Sequence, residues 1–148
     1  MRTCLAAAVS ISILFSFGCG TPTPTPMLSV TVADHSDALS DKNNDNLFVL
    51  TFATVPTPIA AADLQVTGAV AGGSNFQLNF THADANGDGN IDSGDTVTCR
   101  EPGTGGAGGL ANIFDVPNVG QTITVNVARL TGPSMATQLA RLQWVPTN

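Results

Sequence analysis

Oxygen donors on alternate residues are the sharpest chemical signal in this chain. Residues 84 to 95 read Asp84-Ala85-Asn86-Gly87-Asp88-Gly89-Asn90-Ile91-Asp92-Ser93-Gly94-Asp95. Asp84, Asn86 and Asp88 offer side-chain oxygens at every second residue, and Asp92 and Asp95 follow. Calcium takes six to eight oxygens at about 2.3–2.6 Å, so its donors must converge from alternate positions of a tight turn. Gly89 is the residue that can take the positive φ of such a bend. The plainer alternative for the same stretch is an Asn-Gly/Asp-Gly turn whose acids simply face water. A second acidic run passes through Asp34, Asp37, Asp41 and Asp45, where Asp41, Asn43 and Asp45 repeat the spacing. Its twelfth position is Phe52, so it is at most a half-site completed from elsewhere. The two clusters hold eight of the eleven acids, a concentration of like charge that a cation would relieve.

The first stretch resembles the EF-hand calcium loop position by position. The resemblance implies that Asp84, Asn86 and Asp88 occupy positions one, three and five, with Gly89 at six. Asn90 would give its backbone carbonyl, Asp92 would act directly or through water, and Asp95 would close the shell. Ile91 at eight would dock the loop on its support. Asp95 is one methylene shorter than the usual Glu, which weakens bidentate closure and lowers affinity. Both flanks read as strands, so the paired helices of a calcium sensor are missing. Dockerins share an Asp at position twelve, but they need two loops with helices. A wider resemblance is to the Ig-like repeat domains of bacterial surface adhesins. There an Asn-Gly-Asp-Gly loop leads through Gly-Asp into a Thr-Val-Thr strand, as Gly94-Asp95-Thr96-Val97-Thr98 does here.

Other motifs carry less. Gly103-Thr104-Gly105-Gly106-Ala107-Gly108 matches a dinucleotide fingerprint as text, yet no helix or βαβ unit follows, so it reads as a loop. His35 and His82 lack any nucleophile motif or zinc spacing and read as surface or loop residues. No nucleophile or acid pair in a cleft pattern is visible, so the expectation is a protein that is not an enzyme. The alternatives kept beside it are an accessory domain of an exported hydrolase and an assembly subunit that adds strands edge to edge.

The elements that would position the loop are short strands. Leu28, Val30 and Val32 alternate with polar residues, and so do Leu64, Val66 and Val70, with Gly68 interrupting. Phe48, Leu50 and Phe52 run in a stretch apolar on both faces, as in a central strand. Phe76, Leu78 and Phe80 alternate with Asn75, Gln77, Asn79 and Thr81 in the cleanest pattern of all. Val97 with Cys99, then Ile123, Val125 and Val127, then Leu142 with Trp144 complete the set, and Ile113 to Val116 forms a short extra candidate. Ile59 to Asp63 is the one place for a helical turn. Seven or eight short strands separated by Gly, Pro and Asn turns predict an all-β, Ig-like antiparallel sandwich over residues 28–148. Cys99, beside Val97 on an inward face, is expected to be a small buried hydrophobe.

Composition and the N-terminus give the address. Eleven acids against five bases make −6, and only 11% of residues are charged. With no basic cluster, no Tyr and one Trp, nucleic-acid binding is excluded on charge and stacking grounds. Arg2 followed by the apolar run Cys4 to Phe17 is a signal-peptide pattern, too short for the ~20 residues of a membrane-spanning helix. Residues 1–18 are therefore read as a signal peptide. Gly18-Cys19 resembles a bacterial lipobox, with Ser16 where Leu is usual. That resemblance implies lipid on Cys19, the membrane as partner, and an outer-membrane place in the bacterial envelope, since Gly20 is not the Asp of inner-membrane retention. Thr21-Pro22-Thr23-Pro24-Thr25-Pro26 completes a 19–27 tether; extended polyproline II at ~3.1 Å per residue makes its six residues roughly 19 Å long. A signal that removes Cys4 and a lipid that consumes Cys19 leave Cys99 without a disulfide partner; ordinary signal cleavage would leave Cys19 free to pair with it. The function these features predict is a calcium-binding, lipid-anchored module of the envelope, structural or adhesive, with an unidentified protein or glycan ligand. Cys19→Ala is expected to yield unlipidated protein that leaves the membrane fraction, measured by detergent phase partition; unchanged partition rules the anchor out.

Overall fold

The computed structural model describes residues 27–40, 45–71, 73, 75–101 and 119–147. The signal segment, Cys19, the tether, Asp41, Asn43, the glycine-rich stretch 103–108 and the short candidate at 113–116 lie outside them. Ten strands form among the described residues: β1 (Ser29–Asp34), β2 (Asn46–Thr54), β3 (Ile59–Ala60), β4 (Leu64–Val70), β5 (Phe76–Gln77), β6 (Asn79–Ala83), β7 (Asn90–Ile91), β8 (Thr96–Arg100), β9 (Ile123–Gly132) and β10 (Met135–Trp144). A single 3₁₀ turn, Ala61–Asp63, falls where a helical turn was expected. Among the described residues no helix is long and apolar enough to cross a membrane.

All pairings are antiparallel. One four-stranded sheet runs β1-β2-β8-β6 and the other β10-β9-β4-β5, while β3 pairs only with β7. Setting aside the two-residue strands, this is the ABED-against-GFC order of the immunoglobulin sandwich. The expected all-β antiparallel sandwich is thus what the chain forms; among the described residues Cys99 is the one cysteine, and it is a free thiol.

Period-2 alternation builds the core. On β2, Phe48, Leu50 and Phe52 are fully buried, and register sets them against Cys99 and Val97 of β8 and against Val30 and Val32 of β1. Leu64 and Val66 of β4 and Ile123, Val125 and Val127 of β9 face them from the second sheet. Trp144 closes one side: its ring lies 4.9 Å from that of Phe48, and its indole Nε1 donates to Asp34 Oδ1 at 2.9 Å. Asp34 also accepts from the Thr147 backbone N–H and hydroxyl at 2.8 and 2.6 Å, so this carboxylate clasps β1 to the segment after β10.

Two expectations change. The stretch Asn75 to Thr81 is not one strand: β5 joins the β4 sheet, β6 joins the β8 sheet, and the chain changes sheets at Leu78. Leu78 stays buried and donates its N–H to the Val66 carbonyl, so unbroken alternation serves two sheets in turn. The β9–β10 hairpin is also longer than its apolar pattern. Residues 128 to 138 are mostly exposed or half-buried, because this part projects past the core and has no buried face to mark it.

Register places the described loops at one of two ends. Ser29 lies opposite Thr54, Thr51 opposite Thr96, and Thr96 opposite Ala83. Leu64 lies opposite Arg129, near the Gly132–Met135 hairpin tip. One end therefore gathers the entry of the chain at Met27, the 55–63 connection, the 84–95 loop and the β9–β10 tip. The other end carries the turn after Asp34, Glu101, and residues 145–147. Cys99 sits in the core, and burial pushes its thiol up to about 12. Thiol reagents at neutral pH are accordingly expected to leave Cys99 unmodified in folded protein and to label it fully in denaturant; rapid labelling of the native chain would contradict this placement.

Candidate metal centre

The site is built where the inner face of the first sheet runs out of apolar residues. Phe80 pairs with Cys99 and His82 with Val97, so on this face Asp84 and Asp95 come one step beyond the core. Asp95 is only 2% exposed. Burying a carboxylate is costly unless it is hydrogen-bonded, and here three donors meet it. Its Oδ1 accepts from the Ala85 N–H at 3.1 Å, and its Oδ2 accepts from the Asp92 N–H at 2.8 Å and faces His82 Nε2 at 3.1 Å. The backbone on either side of Asp95 exchanges hydrogen bonds with β2: Gly94 N–H to the Phe52 carbonyl at 2.7 Å, and Phe52 N–H to the Asp95 carbonyl at 3.0 Å. Ser93 Oγ receives the Val55 N–H at 2.8 Å.

Asp84 organises the front of the loop. Its Oδ1 accepts from the N–H groups of Asn86 and Gly87 at 3.1 and 2.6 Å, and its Oδ2 from that of Gly89 at 2.7 Å. Asn86 Oδ1 then accepts from the Asp88 N–H at 3.1 Å, and Asp88 Oδ1 from the Asn90 N–H at 2.8 Å. Asn86 Nδ2 reaches across to Asp92 Oδ2 at 3.1 Å. Gly89 has φ of 80°, a conformation disfavoured for a side chain, and open space at its Cβ position; it is this backbone, rather than crowding, that asks for glycine. Ile91 is fully buried and pairs with Ile59, and the Gly89 carbonyl accepts from the Ala61 N–H. The apolar residue at position eight therefore does dock the loop, on β3.

The expected donors are sorted unequally. Asp84 and Asp95 are brought together with His82, with potential ligand atoms all within 4.8 Å of one another. Asn86 and Asp92 are joined side chain to side chain, while Asp88 and Asn90 are linked through the backbone. A carboxylate has about four lone-pair positions; both on Asp95 Oδ2 are taken by protein donors, leaving Asp95 able to supply one oxygen rather than two. That agrees with the short side chain at position twelve. The remaining set, carboxylates of Asp84, Asp88 and Asp92, the Asn86 amide and the Asn90 carbonyl, is oxygen throughout, which suits a hard cation.

His82 corrects the sequence reading. It was expected at the surface or in a loop, yet it lies on β6 with its side chain 10% exposed, bonded to Asp95. Its signal was the alternation Leu78, Phe80, His82, Asp84, which extends the inward face. Of the second acidic set, Asp45 is described, and its carboxylate accepts from the Ser40 N–H at 2.6 Å and is bonded by the Ser40 hydroxyl at 2.9 and 3.0 Å. Asp37 accepts from Asn46 Nδ2 at 2.8 Å. Together with the clasp at Asp34, these contacts give the described acids of this run structural partners at the opposite end from the loop.

No family model, curated protein or solved structure matches the chain.

Hydrogen bonds set the acidities. The Gly89 N–H, followed by those of Gly87 and Asn86, holds Asp84 below the usual carboxylate value of 3.8 against a desolvation that raises it. For Asp95 burial is the largest influence and pulls upward, but the Asp92 and Ala85 N–H groups and His82 together outweigh it, and the net direction is down from 3.8. A carboxyl lowered by folding stabilises the fold above its unfolded value, and that stabilisation is lost as pH falls through the folded one. Denaturant midpoints are expected to drop on acidification below pH 3.8. Asp95→Asn, which sets an NH₂ against existing donors, should cost about 1–3 kcal/mol at neutral pH and flatten that acid limb. A variant as stable as the parent would remove Asp95 from this role.

Proposed function

We propose that the chain is a calcium-stabilised β-sandwich module of a bacterial cell envelope, exported by its N-terminal segment and anchored through lipid on Cys19. Its role is structural or adhesive, in the manner of the Ig-like adhesin domains that the 86–98 stretch resembles. The observation that carries this reading is the 84–95 loop itself. All its oxygen-bearing positions are present, its backbone turns around Asp84, and Asp95 holds its two ends on the sheet.

In this reading calcium replaces repulsion between Asp84, Asp88 and Asp92 with shared coordination. It stiffens the connection between β6 and β8 and, through the β3–β7 pair, the connection between β2 and β4. It opens nothing, because the loop's flanks are strands fixed in a sheet. Extracellular calcium modules bind at about 10⁻⁴–10⁻³ M, so calcium at one to ten times the dissociation constant contributes roughly 0.4–1.4 kcal/mol. The expected outcome is a calcium-selective rise of a few degrees in melting temperature, absent with magnesium or chelator. Asp88→Ala, on an exposed carboxylate, should abolish that rise while leaving the melting temperature in chelator near the parent's. A rise that survives the substitution would place calcium elsewhere.

A further inference from the structure

The outer face of the second sheet carries polar chemistry that the core and the loop leave unused. No Asp or Glu lies on any of its four strands, in a chain with eleven acids against five bases. Register sets Gln77, Thr67, Asn126 and Arg141 side by side across β5, β4, β9 and β10, and Ala69, Thr124 and Gln143 form a second row. On β4 and β9 these residues alternate with the buried Val66, Val125 and Val127, so they face away from the core. At ~4.8 Å between strands, the four-residue row is roughly 14 Å long. The face is also recessed. Ala69 shares the outward side with Thr124, yet it is only 8% exposed. The chain leaving β4 turns back there, with the Gly73 N–H donating to the Val70 carbonyl at 2.8 Å. Between that turn and β9–β10 lies a hollow of about 550 Å³, whose polar side chains are Asn75, Thr124, Asn126, Gln138 and Arg141. Among the described residues, no hydrogen bond or ion pair occupies any of these five side chains.

We infer that this hollow binds an acidic saccharide, a polyhydroxylated chain bearing carboxylates. An Asn or Gln amide pairs donors with an acceptor, which matches sugar hydroxyls that both give and take a hydrogen bond. Arg141 offers donors only, in a planar fork that fits a carboxylate bidentately, and no acid in the hollow competes for it. A simple inorganic anion would leave the amide carbonyls without donors, and a neutral sugar would leave the guanidinium unused. An apolar ligand gains little, because no aromatic side chain lines the hollow. The other arginine of this sheet is placed differently: Arg129 shares its hollow with Asp63, which offsets its charge. The saccharide site stands apart from the 84–95 loop, none of whose residues lines it, and it gives an adhesive module a class of ligand.

The test is calorimetric titration of the exported chain, in detergent and chelator so that calcium plays no part, with hexasaccharides of galacturonate, of mannuronate and of hyaluronate. At least one is expected to bind saturably, and its methyl ester is not. Arg141→Gln should weaken that binding about tenfold or more, as the loss of a charge-assisted pair requires. Arg141 is exposed, so this variant should melt with the parent, which separates lost binding from lost fold. Asn126→Asp, which sets a negative charge beside the guanidinium, should abolish binding, while Arg129→Gln should leave it unchanged. Failure of all three hexasaccharides to bind overturns the site. Equal binding of the ester overturns the acidic ligand. Binding that Arg141→Gln spares, or that Arg129→Gln weakens as much, overturns the placement in this hollow, and none of these results bears on the calcium loop.

Discussion

The buried carboxylate of Asp95 is the constraint around which this end of the molecule is arranged. A charge that is 2% exposed is tolerable only with its acceptor capacity filled, and the sequence fills it from three directions. Ala85 approaches from the start of the loop, Asp92 from its end, and His82 from the strand alongside. Each donor is fixed to a different part of the chain, so satisfying one carboxylate fixes a twelve-residue excursion in place. The backbone exchange between Gly94, Asp95 and Phe52 then ties that excursion to the central strand. Asp95 is a keystone first, and its capacity as a ligand is what remains after that task.

Much of the fold was legible because most strands have one buried face. Phe48, Leu50 and Phe52, or Ile123, Val125 and Val127, announce themselves by alternation with polar neighbours. What escaped reading has physical causes. Leu78 keeps perfect alternation while the chain passes from one sheet to the other, since period reports only that a side chain is inward and not which sheet its backbone joins. The outer half of the β9–β10 hairpin lacks a buried face and therefore lacks a pattern. β3 and β7 are two residues long, too short for any period.

The candidate site was legible in its donors and opaque in its closure. Spacing picked out Asp84, Asn86, Asp88, Asn90, Asp92 and Asp95 as candidate donors, because oxygen ligands must alternate around a bend. It did not mark His82, whose place beside Asp95 depends on the pairing of β6 with β8. It also treated Asp34, Asp37 and Asp45 as kin to the loop acids, whereas Asp34 is held by the distant Trp144 and Thr147, and Asp37 and Asp45 by the nearby Asn46 and Ser40. Trp144 bonded to Asp34 spans most of the domain in sequence, a separation that local patterning cannot reach.

That clasp has a mechanical side. The chain enters the sandwich at one end, on β1, and leaves it at the other, beyond Trp144. Tension applied between these two ends therefore runs along the strands. The β1–β2 ladder, paired from Ser29 to Asp34, is loaded in shear, with all its hydrogen bonds sharing the force, rather than unzipped one by one. Asp34, gripping both Trp144 and Thr147, adds a cross-link where that shear would end. An outward pull on such a domain meets its strongest direction.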